Sequence, residues 1–319
     1  MQTGGELESD DNFGLALATG FSRRNGLWQL GNVWSQSGRK DEAEREWSRA
    51  LAIARDLARD FPDEPDLLRR LASLESNFAT MHLAAGRAEE ARGLLEDAIR
   101  IGERLVAEHP LTAANRAMPI DSRLNFANAL SAAGELDRAV DSAARAADLG
   151  RELLAGNPES ASALGSLATA ESNLGGLLSS REDYERAVAS FSSAVEHFGS
   201  ARALQPGWEI WDRGLRYSRI NLAVALAALG RPREVLDTIS LLPGLAHPAE
   251  AVASLEALAG AVEAAGPDGA LVSDLLAEAE RLLPRSLETG LSVDGLGDRR
   301  SFGRLVDEPA IRAILDGGR

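Results

Sequence analysis

The 319 residues carry 49 acidic and 34 basic side chains, a net charge of −15 at neutral pH, and only 5% of them are aromatic. No basic stripe is available to track phosphates, so nucleic acid is excluded as a partner, and the acidity would repel an anionic membrane surface. With no cysteine, neither a disulfide framework nor a thiolate zinc site can form.

Residues 1–12 form a polar, acidic leader without apolar periodicity, and read as disordered. They are acidic where a secretory signal would be basic and then apolar, and the longest apolar run, Leu222 to Leu229, is far short of a membrane span. A cytoplasmic location is the expectation. From Phe13 onward the chain is rich in alanine and leucine, and the apolar spacing predicts helix throughout. Helix pairs are expected at 13–37 with 40–60, 64–85 with 88–108, 120–133 with 136–155, 159–179 with 183–202, and 207–229 with 232–241. The late start at 120 follows from Pro119, which stands where the sibling segments have Leu71 and Leu167. A proline inside a helix costs roughly 3 kcal/mol, so an irregular crossing is expected over Leu111–Met118.

These pairs repeat with a period of 48 residues. One column reads Gln29, Asn77, Asn125, Asn173, Asn221; the next holds a large apolar residue (Leu30, Phe78, Phe126, Leu174, Leu222), and the one after it a small residue (Gly31, Ala79, Ala127, Gly175, Ala223). The turn column is Gly38, Gly86, Gly134, Glu182, Gly230. Prolines close the first four repeats at Pro62, Pro110, Pro158 and Pro206. Such register over residues 13–242 signals five stacked hairpins of one solenoid. After Leu242 the register breaks, and residues 243–285 read as a sixth, shorter hairpin bent at Gly266-Pro267. Residues 286–319 read as a C-terminal cap over the last apolar face.

Asn77-Phe78-Ala79, Gly86, Ala91, Leu95 and Ala98, with Trp47 and Phe191 at the aromatic place of their own repeats, resemble the tetratricopeptide repeat. The family's period is about 34 residues, so a period of 48 implies helices lengthened at their far ends. This long form resembles the arrays that follow the kinase domain in bacterial, especially planctomycete, serine/threonine protein kinases. The resemblance implies an all-α fold, a right-handed solenoid of stacked hairpins whose first helices line a concave groove. It also implies a non-catalytic scaffold that binds a protein or peptide there; the alternative is a regulatory or substrate-docking array serving a separately encoded kinase.

By the family's pattern the groove residues include Trp28, Asn32, Asn77, Thr80, Asn125, Asn128, Asn173 and Asn221. The asparagines have two readings, a ladder between neighbouring first helices or contacts to a peptide backbone. Trp208, Trp211 and Tyr217 cluster on one first helix as candidate aromatic anchors. The places where some relatives carry a lysine and arginine clamp for acidic C-termini hold Trp28, Ser76, Leu124, Ser172 and Ile220, which disfavours that ligand. A neighbouring column alternates in sign (Glu75, Arg123, Glu171, Arg219) and suggests a charge ladder from repeat to repeat. Catalytic signatures are missing: Lys40, the only lysine, follows no glycine-rich loop, and His82, His109, His197 and His247 lack metal-ligand spacing. Neither an enzyme nor a cofactor is expected.

Overall fold

The computed structural model describes residues 22–109, 112–242 and 248–288, together with Gly20, Leu305, Pro309, Ile311 and Arg312. The leader and most of the expected cap lie outside the described residues. Every element within them is a helix: α1 (22–36), α2 (Lys40–Asp60), α3 (Pro65–Ala84), α4 (Ala88–Glu108), α5 (Ala113–Ala132), α6 (Leu136–Gly156), α7 (Ala161–Ser180), α8 (Tyr184–Leu204), α9 (Glu209–Ala228), α10 (Pro232–Ile239), α11 (Pro248–Ala265) and α12 (Gly269–Glu288). None of these is long and apolar enough to cross a membrane. The chain forms two compact units, divided after Ser142 within α6. In the N-terminal unit α3 packs on α2, α4 and α5; in the C-terminal unit α8 packs on α7 and α9, and α11 on α9, α10 and α12.

Each hairpin turns by the same device. Gly38, Gly86, Gly134 and Gly230 take φ between 65° and 80°, and the following N–H donates to a carbonyl five residues back. Arg87 N to His82 O is 2.9 Å, Glu135 N to Leu130 O 2.8 Å and Arg231 N to Leu226 O 3.0 Å, the bonding of a Schellman cap. Glu182, which replaces the glycine in this column, is held in the same conformation at φ 60°, with Asp183 N bonded to Leu178 O at 2.9 Å. Carboxylates in the first turns of α2 (Asp41, Glu42) and α4 (Glu89, Glu90) favour the helix N-termini, and Pro65 and Pro232 stand at first-turn positions where no N–H is needed.

Within a hairpin the small column of the first helix receives a large side chain from the second. A Cβ on Gly31 would lie 2.5 Å from Trp47 Nε1, and one on Gly175 would lie 2.9 Å from the Phe191 ring. Where the first partner is alanine the second is aliphatic: Ala79 shares a buried cluster with Leu95, and Ala223 and Ile239 are both fully buried.

Three expectations are corrected. The helix that carries Pro119 does not start late; α5 begins at Ala113. The Pro119 ring fits against Gly102 of α4, where a Cβ would be 3.4 Å away. The first turn is tied down by buried Asn115, whose Nδ2 donates to the carbonyls of Leu105 (3.3 Å) and His109 (3.4 Å), while its Oδ1 accepts from Arg69 (2.9 Å). The sixth hairpin, expected to be shorter, is nearly as long as the others, since α11 and α12 run 18 and 20 residues; the shortening, visible as 36 residues between Gly230 and Gly266, lies before it. It arises from α10, which has 8 residues against 21 in α8.

The charge ladder is not formed, because its column faces the second helices rather than the neighbouring first helix. Glu75 Oε1 accepts from Arg55 Nη2 of α2 at 2.9 Å, Arg123 bonds Glu103 of α4, Glu171 Oε2 lies 2.7 Å from His197 Nδ1 of α8, and Arg219 donates to Leu241 O at 2.9 Å. Serines on either side of this column do bridge first helices, Ser76, one position after Glu75, to Ser122, one before Arg123, at 3.1 Å, and Ser172 to Ser218 likewise at 3.0 Å.

Two measurable consequences follow from these contacts. An L-residue in the left-handed region costs about 1–2 kcal/mol, of which the extra freedom of glycine in the unfolded chain offsets part, so Glu182→Gly should raise the unfolding free energy by about 0.5–1 kcal/mol in chemical denaturation. The bond to Glu171 raises the His197 pKa above its ordinary 6.5, and burial pushes Glu75 up to about 7. Both groups hold protons more tightly folded than unfolded, so each adds stability on the acid side that is lost as pH rises through its folded pKa. Unfolding midpoints should therefore be higher near pH 6 than near pH 8, with the difference reduced in Glu75→Gln and in His197→Gln.

Candidate functional site

The exposed faces of the first helices are described separately for each unit. In the N-terminal unit α1 and α3 enclose a hollow of about 260 Å³ whose lining brings Trp28 and Asn77 together with Arg24, Asn25, Arg69 and Arg70. These arginines belong to no repeating column, yet Arg24 precedes Trp28 by four residues and Arg70 precedes Asn77 by seven, spacings that put each pair on one helix face. Arg24 is buried, and burial together with the nearby Arg70 charge holds its guanidinium below the usual arginine range. Trp28 is half-buried, with its ring centroid 5.7 Å from that of Trp47.

The other expected groove residues divide by their bonds. Asn32 accepts from the Trp47 indole N–H at 3.1 Å and so belongs to the packing of α1 on α2. Thr80 is exposed and returns its hydroxyl to Ser76 O of its own helix at 3.0 Å. Asn77 and Asn128 are exposed and Asn125 half-exposed, with side-chain amides that make no hydrogen bond among the described residues. In the C-terminal unit Asn173 donates to Thr169 O (2.8 Å) and Asn221 to Tyr217 O (2.9 Å), each four residues back on its own helix. The asparagine column therefore makes no hydrogen-bonded ladder between helices; serine pairs bridge them instead.

The aromatic cluster on α9 separates in the same way. Trp211 is 6% exposed and packs with Phe198, Leu164 and Leu215 in the core. Its ring lies over Gly165, where a Cβ would come within 2.1 Å, so this tryptophan is not a surface anchor. Trp208 is 57% exposed and stacks on it, with ring centroids 5.9 Å apart and planes 15° from parallel. Tyr217 is 53% exposed, and Ile210 and Val224, seven residues to either side on α9, are also exposed. These three form one stripe along the helix, with Asn221 beside it. Among the described residues no three His, Asp or Glu side chains gather as a metal site.

Two family models described as tetratricopeptide repeat match the chain, at residues 72–111, across α3 and α4, and at 217–239, across α9 and α10. No curated protein matches in sequence. Among solved structures the fold is similar to BtubC (BKLC) from P. vanneervenii, at 17% identity over 81% of this chain and 92% of that one, with a TM-score of 0.54. The apo form of RapI aligns at 13% identity over 92% and 95%, TM-score 0.52, and the S. pombe nuclear import adaptor Nro1 at 12% over 95% and 99%, TM-score 0.52. The chain is thus all-α, built of tetratricopeptide-like hairpins, and proteins with such repeats generally mediate protein–protein interactions.

Substitutions should separate architecture from surface. Trp211→Ala should cost about 3–5 kcal/mol in chemical denaturation, as for a buried aromatic, whereas Asn173→Ala and Asn221→Ala should each stay within about 0.5 kcal/mol of the parent chain.

Proposed function

We propose that the protein is a non-catalytic scaffold that holds a partner polypeptide on the open face of its first helices, with one anchor in each unit. The observation that carries this reading is the hollow between α1 and α3. There the arginines Arg24, Arg69 and Arg70 line one hollow beside Trp28 and Asn77. The lining of this hollow is cationic, and a planar carboxylate matches the fork of a guanidinium. The first anchor therefore takes an acidic side chain or a chain terminus of the partner, the ligand class that the clamp positions alone had disfavoured. The second is the Ile210, Tyr217 and Val224 stripe with Trp208, where large, rigid rings supply contact area at little cost in conformational freedom. Asn77, Asn125 and Asn128 supply amides for a partner's main chain. A nuclear import adaptor of the same fold class is in keeping with such a role.

The period of 48 residues, carried by helices of 20 and 21 residues, favours a second reading in which the scaffold docks substrates for a separately encoded bacterial serine/threonine kinase. The captured partner would then be a kinase or its substrate.

Photo-crosslinking in the native cell distinguishes the faces. A benzophenone side chain placed at Asn128 or Tyr217 should trap a partner, whereas one at Arg49 or Asp148, on second helices, should not; the opposite pattern would remove the reading. Arg70→Glu and Trp208→Ala should each weaken binding of the trapped partner at least about tenfold, roughly 1.4 kcal/mol, while leaving helical circular dichroism unchanged.

A further inference from the structure

The face of α3 opposite Asn77 carries a second opening. Leu68, Leu71, Glu75, Phe78 and His82 recur at intervals of three and four along α3 and form the floor of a trough walled by α2 and α4. Residues 75 and 77 are two positions apart on the helix, about 200° around its axis, so the trough and the asparagine face are on different sides. The trough consists of two hollows, of about 700 Å³ and about 470 Å³, that share Arg55 and Arg59. From Leu68 to His82 it runs about 21 Å at 1.5 Å per residue.

Two polar atoms on this floor are buried without a partner. Glu75 is 1% exposed; Arg55 satisfies its Oε1, but Oε2 has no hydrogen bond. His82 is 7% exposed, and its Nδ1 has none. Leaving such groups unmatched is costly, so a ligand that matches them gains more than it would on an ordinary surface. The walls are also low where they need not be. Gly93 stands exposed in the middle of α4, where glycine is a poor helix former, and a Cβ there would meet nothing within 4 Å. Ala52 lines the same hollow from α2.

We infer that this trough is a second binding site, which takes an extended peptide segment whose main-chain amides meet Glu75 and His82 and whose apolar side chains lie on Leu71, Phe78 and Ile101. The two polar residues are seven positions apart, about 10 Å along α3, a distance that about three extended residues cover at 3.3 Å each. An extended strand offers a free N–H or C=O at each step, whereas a helix spends its own internally. The length exceeds a small molecule and corresponds to about six extended residues. The rim mixes Arg59, Arg100 and Arg104 with Asp56, Glu90 and Asp97, so the peptide is selected by shape and main-chain bonding rather than by a single charge.

The test uses the intact chain and a phage-displayed library of random peptides of about twelve residues, twice the span of the trough. Gly93→Trp fills the trough at an exposed helical position with room for the ring, and Glu75→Leu removes the acceptor while leaving Arg55 half-exposed. Among the clones selected on the parent chain, a set should bind Asn77→Ala and Arg70→Glu unchanged and lose at least about tenfold on both Gly93→Trp and Glu75→Leu. The inference is overturned if the clones bind Gly93→Trp as tightly as the parent, or if no clone tells the two apart. If every clone is lost on Arg70→Glu and kept on Gly93→Trp, the inference is also overturned, and peptide binding lies on the first-helix face alone.

Discussion

The closeness of the two helices in three of the hairpins rests on one steric match. A small residue on the first helix, three positions along from a groove residue, receives a large apolar side chain of the second at Trp47, Leu95 and Phe191. Glycine faces tryptophan at Gly31 and Trp47 and phenylalanine at Gly175 and Phe191, while alanine at Ala79 accompanies the smaller Leu95. The larger the second-helix partner, the smaller the residue that faces it, while the third hairpin has alanine at both positions, Ala127 and Ala143. A methyl group added to the glycine side would overlap the ring, and protein interiors do not absorb such overlap without shifting backbone. Because this contact recurs at a fixed place in the repeat, it sets which side of the first helix is turned inward. Everything exposed on that helix is what remains.

That remainder explains the division of labour among polar residues. The position carrying Glu75, Arg123 and Glu171 turns toward the second helices and is spent on bonds to Arg55, Glu103 and His197. The positions just before and just after it turn toward the neighbouring first helices and are spent on the bridges from Ser76 to Ser122 and from Ser172 to Ser218. Only the position after those, held by the asparagines, reaches open solvent or its own helix. A preformed surface of this kind binds with little ordering cost of its own, so a few well-placed groups are enough to define a partner.

Much of this organisation was legible in the sequence, because it repeats. The turn glycines, the small column and the helix pairs are each visible as a register of 48 residues, and even the missing glycine at Glu182 is the exception that the backbone bears out with φ 60°. What the sequence did not disclose were contacts outside that register. Pro119 reads as a helix breaker until Gly102 supplies a place for its ring and Asn115 ties the first turn. Trp211 reads as a surface aromatic until Gly165 of a neighbouring first helix is seen beneath it. The arginines beside Trp28 and Asn77 belong to no column, so repetition could not mark them, and the charged column was misassigned because alternation in sign says nothing about which way a side chain faces.

The steric match is tested most directly by a double-mutant cycle at Gly175 and Phe191, comparing Gly175→Ala, Phe191→Leu and the two together by chemical denaturation of the intact chain. The double variant reproduces the pairing at Ala79 and Leu95. It should therefore be more stable than Gly175→Ala alone, with a favourable coupling of about 1–2 kcal/mol. Losses that add within about 0.5 kcal/mol would mean that the two positions do not share a contact, and that the hairpin geometry has another origin.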